Sequence, residues 1–481
     1  MTPNLTLLAA AFAAAPALLG AQAQPPATRR AHEIVALINS APPAAIRAYV
    51  DTAFNARMRE LPMSAHLNFM MGNRERSQGL EWVEVQEETP PATTALLKRK
   101  LTGDFMALAV RVDTAAPYRV AGIGQRPPRP KSAAVEAPVT SDGELAAELE
   151  RYVKALAQAD VFSGTVVVAK DGKPIYAGAF GQANKDFGAP NTLDTKFNLG
   201  SMNKMFTAVT IAQLVEQGKL SYQDPLSKFI PDYPNAASAK KVRLEHLLTH
   251  TSGLGSYFND EFERSSRARF RTVDEMMQLA KGDSLAFEPG TRWSYSNTGM
   301  LVLGKVIEVA TKQDYFTWLR EHLYRTAGMT STDAYELDQV NPNLAVGYDR
   351  QFQDDGTKRW RNNIFMHVIR GGPAGGGYST AGDLVKFVEA LKSGKLVSPA
   401  TYELMTTPKP EVKSPEYGYG FGVDTETGIV GHSGGFPGIS SNLDIFKRTG
   451  YVAVVLSNYS GGSQPVVEKI RALVRRRSGR A

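Results

Sequence analysis

The feature that most constrains this fold is where strand-like segments occur in the long stretch that follows residue 143. Short apolar or alternating runs lie near its start and near its end, and helical periodicity dominates between them. These runs are 164–169, 174–177, 428–431, 442–446 and 451–456. Helices are predicted over 145–156 and 466–474. Strands from distant parts of the chain must therefore meet in one sheet covered by helices, which predicts an α/β fold.

A different pattern precedes this long stretch. Residues 30–124 begin with helical periodicity and continue with alternating runs at 80–85 and 105–110. Helices first and strands afterwards predict a small α+β domain, whose role the sequence does not indicate. The stretch 125–143 begins Pro-rich, lacks an apolar period and is predicted to be a linker to a large domain over 144–481.

The first 23 residues have the pattern of a secretory signal peptide. Residues 5–20 form an apolar run rich in Ala and Leu, and Ala21-Gln22-Ala23 offers the small residues that signal peptidase accepts. The run is too short for a permanent membrane span and contains Pro16, and no later stretch reaches the required ~18 apolar residues. The sequence predicts cleavage near Ala23 and a periplasmic or secreted protein with no stable membrane span.

Composition excludes several functional classes. With 43% hydrophobic and 21% charged residues the chain is globular, and its 0 Cys exclude a disulfide scaffold, a thiolate zinc site and a cysteine nucleophile. The net charge is +7, but five arginines lie within residues 471–481, so no nucleic-acid partner is expected. His246 and His250 have the spacing of a helical zinc site, but no acid lies between them. Neither a metal nor another cofactor is predicted.

The sharpest chemical motif is Ser201-Met202-Asn203-Lys204. Apolar residues at helical spacing follow it, so Ser201 is predicted to lie in the first turn of a buried helix with Lys204 one turn away on the same face. A serine hydroxyl needs a nearby base or cation to become a nucleophile. A helix N-terminus also supplies backbone N–H groups and positive potential for an oxyanion.

Two later motifs complete a constellation. They are Tyr295-Ser296-Asn297, predicted at a loop-to-helix junction, and His432-Ser433-Gly434, which follows a short strand. Tyr295 can act as a general base where a cation lowers its pKa, and Asn297 can donate an amide N–H to a substrate carbonyl. The N–H of Gly435 can complete an oxyanion hole with that of Ser201.

Taken together, the three motifs resemble those of the serine β-lactamase and penicillin-binding-protein superfamily, above all its class C and esterase-like branch. The stretches 247–254 and 376–384 resemble the same branch, and the resemblance covers about residues 145 to 475. It implies a β-lactamase-like α/β fold, with an antiparallel sheet flanked by helices and an all-helical region. It also implies an acyl-enzyme on Ser201, with Lys204 and Tyr295 moving the proton; which of these two is the base is left open.

One position departs from the class C pattern and bears on the substrate. Class C β-lactamases carry Lys where this chain has His432, which is mostly neutral at pH 7. The resemblance implies that Asn297, His432, Gly434 and Gly435 are substrate-binding or oxyanion residues. With a neutral His432, it favours small esters or D-amino-acid and peptidoglycan-type amides as substrates. A β-lactamase and a non-catalytic penicillin-binding or sensing protein are the alternatives. The substrate is then a small molecule or short peptide, and the oligomeric state is left open.

Residues 431–435 also fit Gly-x-Ser-x-Gly, the nucleophile elbow of α/β-hydrolases. That motif needs a helix after the serine and a histidine later in the chain. Strand-like alternation follows Ser433 instead, and no histidine lies beyond His432. The match is therefore interpreted as accidental.

Overall fold

The computed structural model describes residues 24–129 and 137–479. The described residues form two compact units, one before and one after the gap at 130–136. The predicted signal peptide and the centre of the predicted linker lie outside the described residues. Within the described ranges, no helix combines the length and the hydropathy needed to cross a membrane.

The N-terminal unit is a small α+β fold, with helices first and strands afterwards. Its helices are Pro26–Ser40, Pro43–Ala53, Ala56–Arg59 and Met63–Ser77. Its strands are Leu80–Thr89, Ala92–Arg99, Phe105–Val112 and Val120–Arg126, paired antiparallel in chain order. The first helix buries a stripe that includes Ile34 and Ile38 and contacts three of these strands. That stripe gives the sheet an apolar cover.

The C-terminal unit is built on an antiparallel sheet whose strands come from both ends of the unit. In spatial order these strands are Gly422–Asp424, Ile429–Phe436, Ile439–Phe446, Tyr451–Ser457, Gly164–Lys170 and Lys173–Phe180. The pairing of Val454 with Val167 joins the two groups. Every residue of Tyr451–Ser457 is buried, so both faces of the sheet are covered at its centre. The structure confirms the predicted sheet from distant segments.

Helices cover this sheet. Asp142–Gln158 and Ser463–Arg477 pack on each other and on the sheet, and Ala381–Lys392 packs separately on its central strands. The first of these begins where the Ser141 hydroxyl accepts a hydrogen bond from the Glu144 N–H, which satisfies one of the free donors at a helix start. The fold class predicted from the sequence is therefore confirmed.

Between the early and late strands lies a mainly helical region. Its α-helices are Asn203–Glu216, Ala236–Lys241, Leu244–Leu248, Asp260–Arg264, Val273–Met277, Asn297–Thr311, Tyr315–Leu319, Arg325–Ala327 and Pro399–Met405, and a π-turn spans Arg320–Tyr324. Short 3-10 turns are Gly200–Met202, Leu226–Lys228, Arg267–Arg269, Gln278–Ala280 and Pro410–Val412. Small ladders pair Gln182–Asn184 with Ala189–Pro190, Phe197–Asn198 with Tyr378–Ser379, and Tyr348–Phe352 with Lys358–Asn362. The helix Asn203–Glu216 is buried on almost every side, which identifies it as the centre of this region.

Candidate active site

Ser201 lies in the 3-10 turn Gly200–Met202, immediately before the helix Asn203–Glu216. The sequence predicted the first turn of the helix itself, so the serine sits slightly earlier than expected. The turn begins at Gly200, whose φ of +50° lies in the left-handed region that glycine adopts at low cost. The sharp turn leaves Ser201 partly exposed at the start of an otherwise buried helix.

A glycine-rich loop over 371–377 holds the backbone around Ser201. The Gly376 N–H donates to the Gly200 carbonyl at 3.2 Å, and the Leu199 N–H donates to the Gly377 carbonyl at 2.8 Å. A Cβ placed on Gly375 would lie 2.9 Å from the Gly200 oxygen, so this position has room only for glycine. The loop therefore fixes the turn Gly200–Met202 by backbone contacts.

Lys204 is fully buried on the first turn of the helix after Ser201. Its Nζ donates to Asn297 Oδ1 at 2.9 Å and to the Ala374 carbonyl at 2.5 Å, and lies 4.8 Å from the centroid of the Tyr295 ring. Burial holds the pKa of Lys204 well below its usual range. A neutral amine has two N–H donors and one lone pair, so these two acceptors leave the lone pair available as a base.

Tyr295 faces Ser201 from the opposite segment. The Ser201 and Tyr295 side chains are close enough to interact. Burial raises the pKa of Tyr295 to about 12, and the contact with Ser201 works against that rise. The phenol is therefore protonated at neutral pH and can donate a proton as well as accept one.

The loop-to-helix junction predicted for Tyr-x-Asn is present. The Ser296 hydroxyl caps the helix Asn297–Thr311 by accepting from the Gly299 N–H at 2.8 Å. The Asn297 amide nitrogen donates to the Ser256 hydroxyl at 3.1 Å, which directs its oxygen to Lys204. The cap thus aims Tyr295 and Asn297 at the same point.

The glycines of the last motif have different surroundings. A Cβ on Gly434 would lie 1.9 Å from the Leu199 carbonyl oxygen, so Gly434 packs tightly against the segment that leads to Ser201. A Cβ on Gly435 would meet nothing within 4 Å. The Gly435 nitrogen would lie 3.0 Å from a Cβ on Gly200, which places this amide beside the turn Gly200–Met202.

His432 is held in a neutral form beside the site. Its Nδ1 lies 2.5 Å from the Ser433 carbonyl and therefore carries the proton, and its Nε2 accepts from the Tyr417 hydroxyl at 2.9 Å. The pKa of His432 is lowered to about 4, mainly by burial and to a smaller extent by the nearby Lys204. The serine next to it lies within the strand Ile429–Phe436, with no helix after it, so the nucleophile elbow is absent.

A cavity of about 200 Å³ opens beside the Ser201 hydroxyl. Its largely apolar wall contains Tyr257, Phe258, Phe262, Val368, Phe436 and Ile439. Its polar side chains are Asn198, Ser201, Tyr295, Asn297 and His367. Among the described residues, no Asp, Glu, Lys or Arg lines it. The cavity suits a small group without formal charge.

The structure brings most of the predicted site together. Ser201, Tyr295, Asn297 and Gly435 line the cavity, and Lys204 lies buried beneath Tyr295. His432 and Gly434 are adjacent but do not line it. Their roles in substrate binding stay predictions.

Sequence reasoning missed the groups that shape the cavity. The Ala374 carbonyl and His367 carry no local motif, although the run of glycines at 371–377 is a signal that a backbone approaches closely there. The aromatic residues Trp293, Trp360 and Tyr419 do not line this cavity.

In this structure an antiparallel sheet adjoins a helical region, and a serine, a tyrosine and a buried lysine lie together between them. This combination is typical of the serine hydrolases of the β-lactamase and penicillin-binding-protein superfamily. Comparison with known proteins agrees. The beta-lactamase family model matches residues 149–476, and the chain belongs to that family.

Three similar proteins illustrate the range of the family. Teichoic acid D-alanine hydrolase of Staphylococcus aureus is 26% identical over 332 residues, which are 67% of this chain and 76% of the relative. A penicillin-binding protein from Bacillus halodurans has a TM-score of 0.61 and 29% identity, covering 67% of this chain and 99% of that structure. A D-stereospecific amidohydrolase from Streptomyces sp. has a TM-score of 0.56 and 26% identity, covering 67% and 97%. Their names differ in substrate, so the family defines the class of hydrolase rather than what this chain cleaves.

Proposed function

We propose that this chain hydrolyses small uncharged esters through an acyl-enzyme on Ser201. The observation that carries the proposal is that Ser201 and Tyr295 line the same cavity, with the Lys204 amine buried beneath the phenol ring. A serine with a base and a proton donor at hand is the requirement for nucleophilic catalysis.

Lys204 is the general base in this proposal. Burial keeps its pKa low, and its two N–H groups are used by Asn297 and Ala374, so its lone pair is available for the Ser201 proton. The Ser201 oxygen attacks the carbonyl carbon while its proton passes to Lys204. Tyr295, protonated at neutral pH, then donates to the leaving alkoxide and is reprotonated from Lys204.

Water completes the cycle. It attacks the acyl carbon, its proton is accepted at the same groups, and the bond to Ser201 breaks with return of the proton to the serine oxygen. The backbone N–H groups of Ser201 and Gly435 bind the oxyanion in both steps; the closeness of Gly435 to the nucleophile turn supports this role.

The cavity supports an apolar acyl group. A charged group placed there would lose its hydration without gaining an ion pair, because the described lining has no Asp, Glu, Lys or Arg. The same reasoning disfavours a β-lactam, whose carboxylate needs a cation that neutral His432 does not provide.

Hydrolysis of D-amino-acid esters or amides is the second candidate. The similar D-alanine hydrolase and D-stereospecific amidohydrolase favour it. Against it stands the lack of a carboxylate in the described cavity lining for the substrate ammonium group.

We also propose that the protein acts outside the cytoplasm. The apolar run at 5–20 and the small residues before position 24 support export. Expression in a bacterium with a periplasm tests this: the mass of the protein from the periplasmic fraction should correspond to a chain that begins at Gln24. A full-length chain confined to the cytoplasm would contradict it.

The hydrolase proposal is tested by fluorophosphonate labelling and by a substrate panel. The panel compares p-nitrophenyl acetate and butyrate, D-amino-acid amides, D-Ala-D-Ala peptides and nitrocefin. Labelling of the wild type and of Ser433→Ala, but not of Ser201→Ala, is expected, with the esters preferred. Absence of labelling in the wild type favours a non-catalytic binding protein, and a dominant nitrocefin signal favours a β-lactamase.

A further inference from the structure

His250 occupies an unusual backbone position beside the Tyr-x-Asn segment. It follows the short helix Leu244–Leu248, is fully buried, and has a φ of +61°, in the left-handed region that few side chains adopt. Its carbonyl accepts from the Ser294 N–H at 2.8 Å. The backbone of His250 therefore holds the residue that directly precedes Tyr295.

The His250 side chain contacts the same segment again. Its Nδ1 accepts from the Ser296 N–H at 3.2 Å, on the other side of Tyr295. Its ring centroid lies 4.4 Å from that of Tyr295 and 4.8 Å from that of Tyr417. Three contacts from one residue thus bracket the phenol on both sides and along its face.

The ring must be neutral to make these contacts. Burial holds the pKa of His250 well below its usual range, and the nearby Lys204 and His432 lower it further. Because Nδ1 accepts from Ser296, the proton of the neutral ring is on Nε2, which is buried without a hydrogen-bond partner among the described residues. His250 Nε2 is therefore left without a hydrogen-bond partner among the described residues, whereas the lone pair of Nδ1 binds the Ser296 N–H.

We propose that His250 is a positioning residue that clamps Tyr295 in its reactive orientation through its carbonyl, its Nδ1 and its ring. The inference rests on the proposed function, because Tyr295 is the group it positions. His250 itself contacts neither the Ser201 hydroxyl nor the cavity in the described structure.

His246 offers a matched control. It is also buried, its Nδ1 also accepts a backbone N–H, from Arg243 at 3.2 Å, and its carbonyl accepts from the Thr251 N–H at 2.9 Å. These contacts stay within its own neighbourhood rather than reaching the Tyr295 segment. Loss of the His246 ring therefore removes similar packing without releasing Tyr295.

The test compares His250→Ala with His246→Ala on ethyl butyrate, an alkyl ester whose leaving group needs a proton, at a temperature where circular dichroism shows both folded. Displacement of a catalytic group by about 1 Å costs on the order of 100-fold in rate. We expect kcat to fall by roughly that factor in His250→Ala with KM within about threefold, and to change little in His246→Ala. Equal kcat values for the two variants would overturn the proposal.

The conservative variant His250→Asn guards against simple misfolding. Asn tolerates a positive φ and its side-chain oxygen can accept from Ser296, but it lacks the ring. We expect partial recovery of kcat relative to His250→Ala. Full loss in a folded His250→Asn, matching His250→Ala, would assign the effect to the ring alone and overturn the three-point clamp.

A double-variant cycle identifies the residue through which His250 acts. In a Tyr295→Phe background, His250→Ala should cost little further activity on the same alkyl ester, because the positioned hydroxyl is already gone. Additive losses would overturn the proposal. If Ser201→Ala retains activity, the proposed function and this inference both fail. If Ser201→Ala is inactive but His250→Ala is fully active, the proposed function stands and only the role of His250 fails.

Discussion

Lys204 Nζ lies 2.9 Å from Asn297 Oδ1, although 93 residues separate the two in the chain. Lys204 comes from the helix that follows the nucleophile, and Asn297 begins the helix that follows Tyr295. The contact therefore joins the Ser201 and Tyr295 segments inside the protein. It also occupies one N–H of an amine whose charge would be costly to bury.

The first prediction separates the chemistry of Lys204 from its charge. Lys204→Met removes the base and Lys204→Arg keeps a cation that cannot be deprotonated. Both should lower the rate of fluorophosphonate labelling by roughly 10²- to 10⁴-fold, the usual contribution of a general base. Substantial activity in Lys204→Arg would show that a cation is sufficient and that Lys204 is not the base.

The second prediction concerns pH and activity. A neutral Lys204 is required, so kcat/KM should rise as the pH increases through the lowered pKa of this amine and then reach a plateau. The plateau should extend far into the alkaline range, because the pKa of Tyr295 is raised to about 12 and its phenol remains a donor. A rate that climbs continuously up to pH 11 in ester hydrolysis, corrected for the uncatalysed reaction, would instead favour the phenolate as base.

The same burial predicts how stability depends on pH. The pKa of Lys204 is lower in the folded than in the unfolded state, where it is near 10.5, so the unfolded chain binds more protons between those values. The contribution of Lys204 to the free energy of unfolding should therefore increase with pH up to about 10.5. In urea titrations, Lys204→Met should be more stable than the wild type at pH 7, and the difference should shrink by pH 10. A difference independent of pH would mean that Lys204 titrates normally in the fold.

The local structure around the candidate site could be predicted from the sequence, because it depends on short motifs. A serine before a buried helix and a tyrosine before a capped helix each have a recognisable pattern, and both patterns hold in the structure. The strand Ile439–Phe446 was recognised only from 442 onwards. Its first residues include Ser441, which is buried and donates to the Leu199 carbonyl at 2.6 Å. Because serine is polar, the sequence pattern does not identify this position as buried.

The cavity could not be predicted, because tertiary contacts shape its walls. Arg267 donates to the carbonyls of Phe262 and Met366, and so joins the short helix Asp260–Arg264 to the irregular segment around Met366. Trp360 packs on Tyr459 with ring centroids 4.5 Å apart and does not line the cavity. Aromatic residues in a sequence do not reveal which of them face a cavity.

A further prediction tests the proton donor through the leaving group. Tyr295→Phe should reduce hydrolysis of alkyl esters by roughly 10²- to 10⁴-fold, because an alkoxide must be protonated to leave. With p-nitrophenyl esters the loss should be much smaller, since nitrophenolate leaves without a proton. The ratio of the two losses is the measurement. Equal losses would assign Tyr295 to activation of Ser201 rather than to protonation of the leaving group.

The two adjacent glycines give a matched pair for the backbone of the site. Gly434→Ala forces a Cβ to within 1.9 Å of the Leu199 oxygen and should displace the nucleophile turn, lowering both the melting temperature and the labelling rate. Gly435→Ala meets no atom within 4 Å and should fold as the wild type does, with any effect confined to KM. Similar melting temperatures for the two variants would contradict the packing of Gly434 behind Ser201.

The final prediction addresses the substrate. Val368 lines the cavity, and Val368→Asp would add the carboxylate that the described lining lacks. It should raise the ratio of activity on D-alanine esters to activity on p-nitrophenyl butyrate by roughly tenfold, the value of one charge-assisted hydrogen bond to the substrate ammonium group. The control variant Val368→Asn introduces a side chain of nearly the same shape as Asp but without its charge, and should leave this ratio nearly unchanged. If the wild type already prefers D-alanine esters and Val368→Asp does not increase that preference, the ammonium group is bound elsewhere, and the proposal that an apolar acyl group occupies this cavity is wrong.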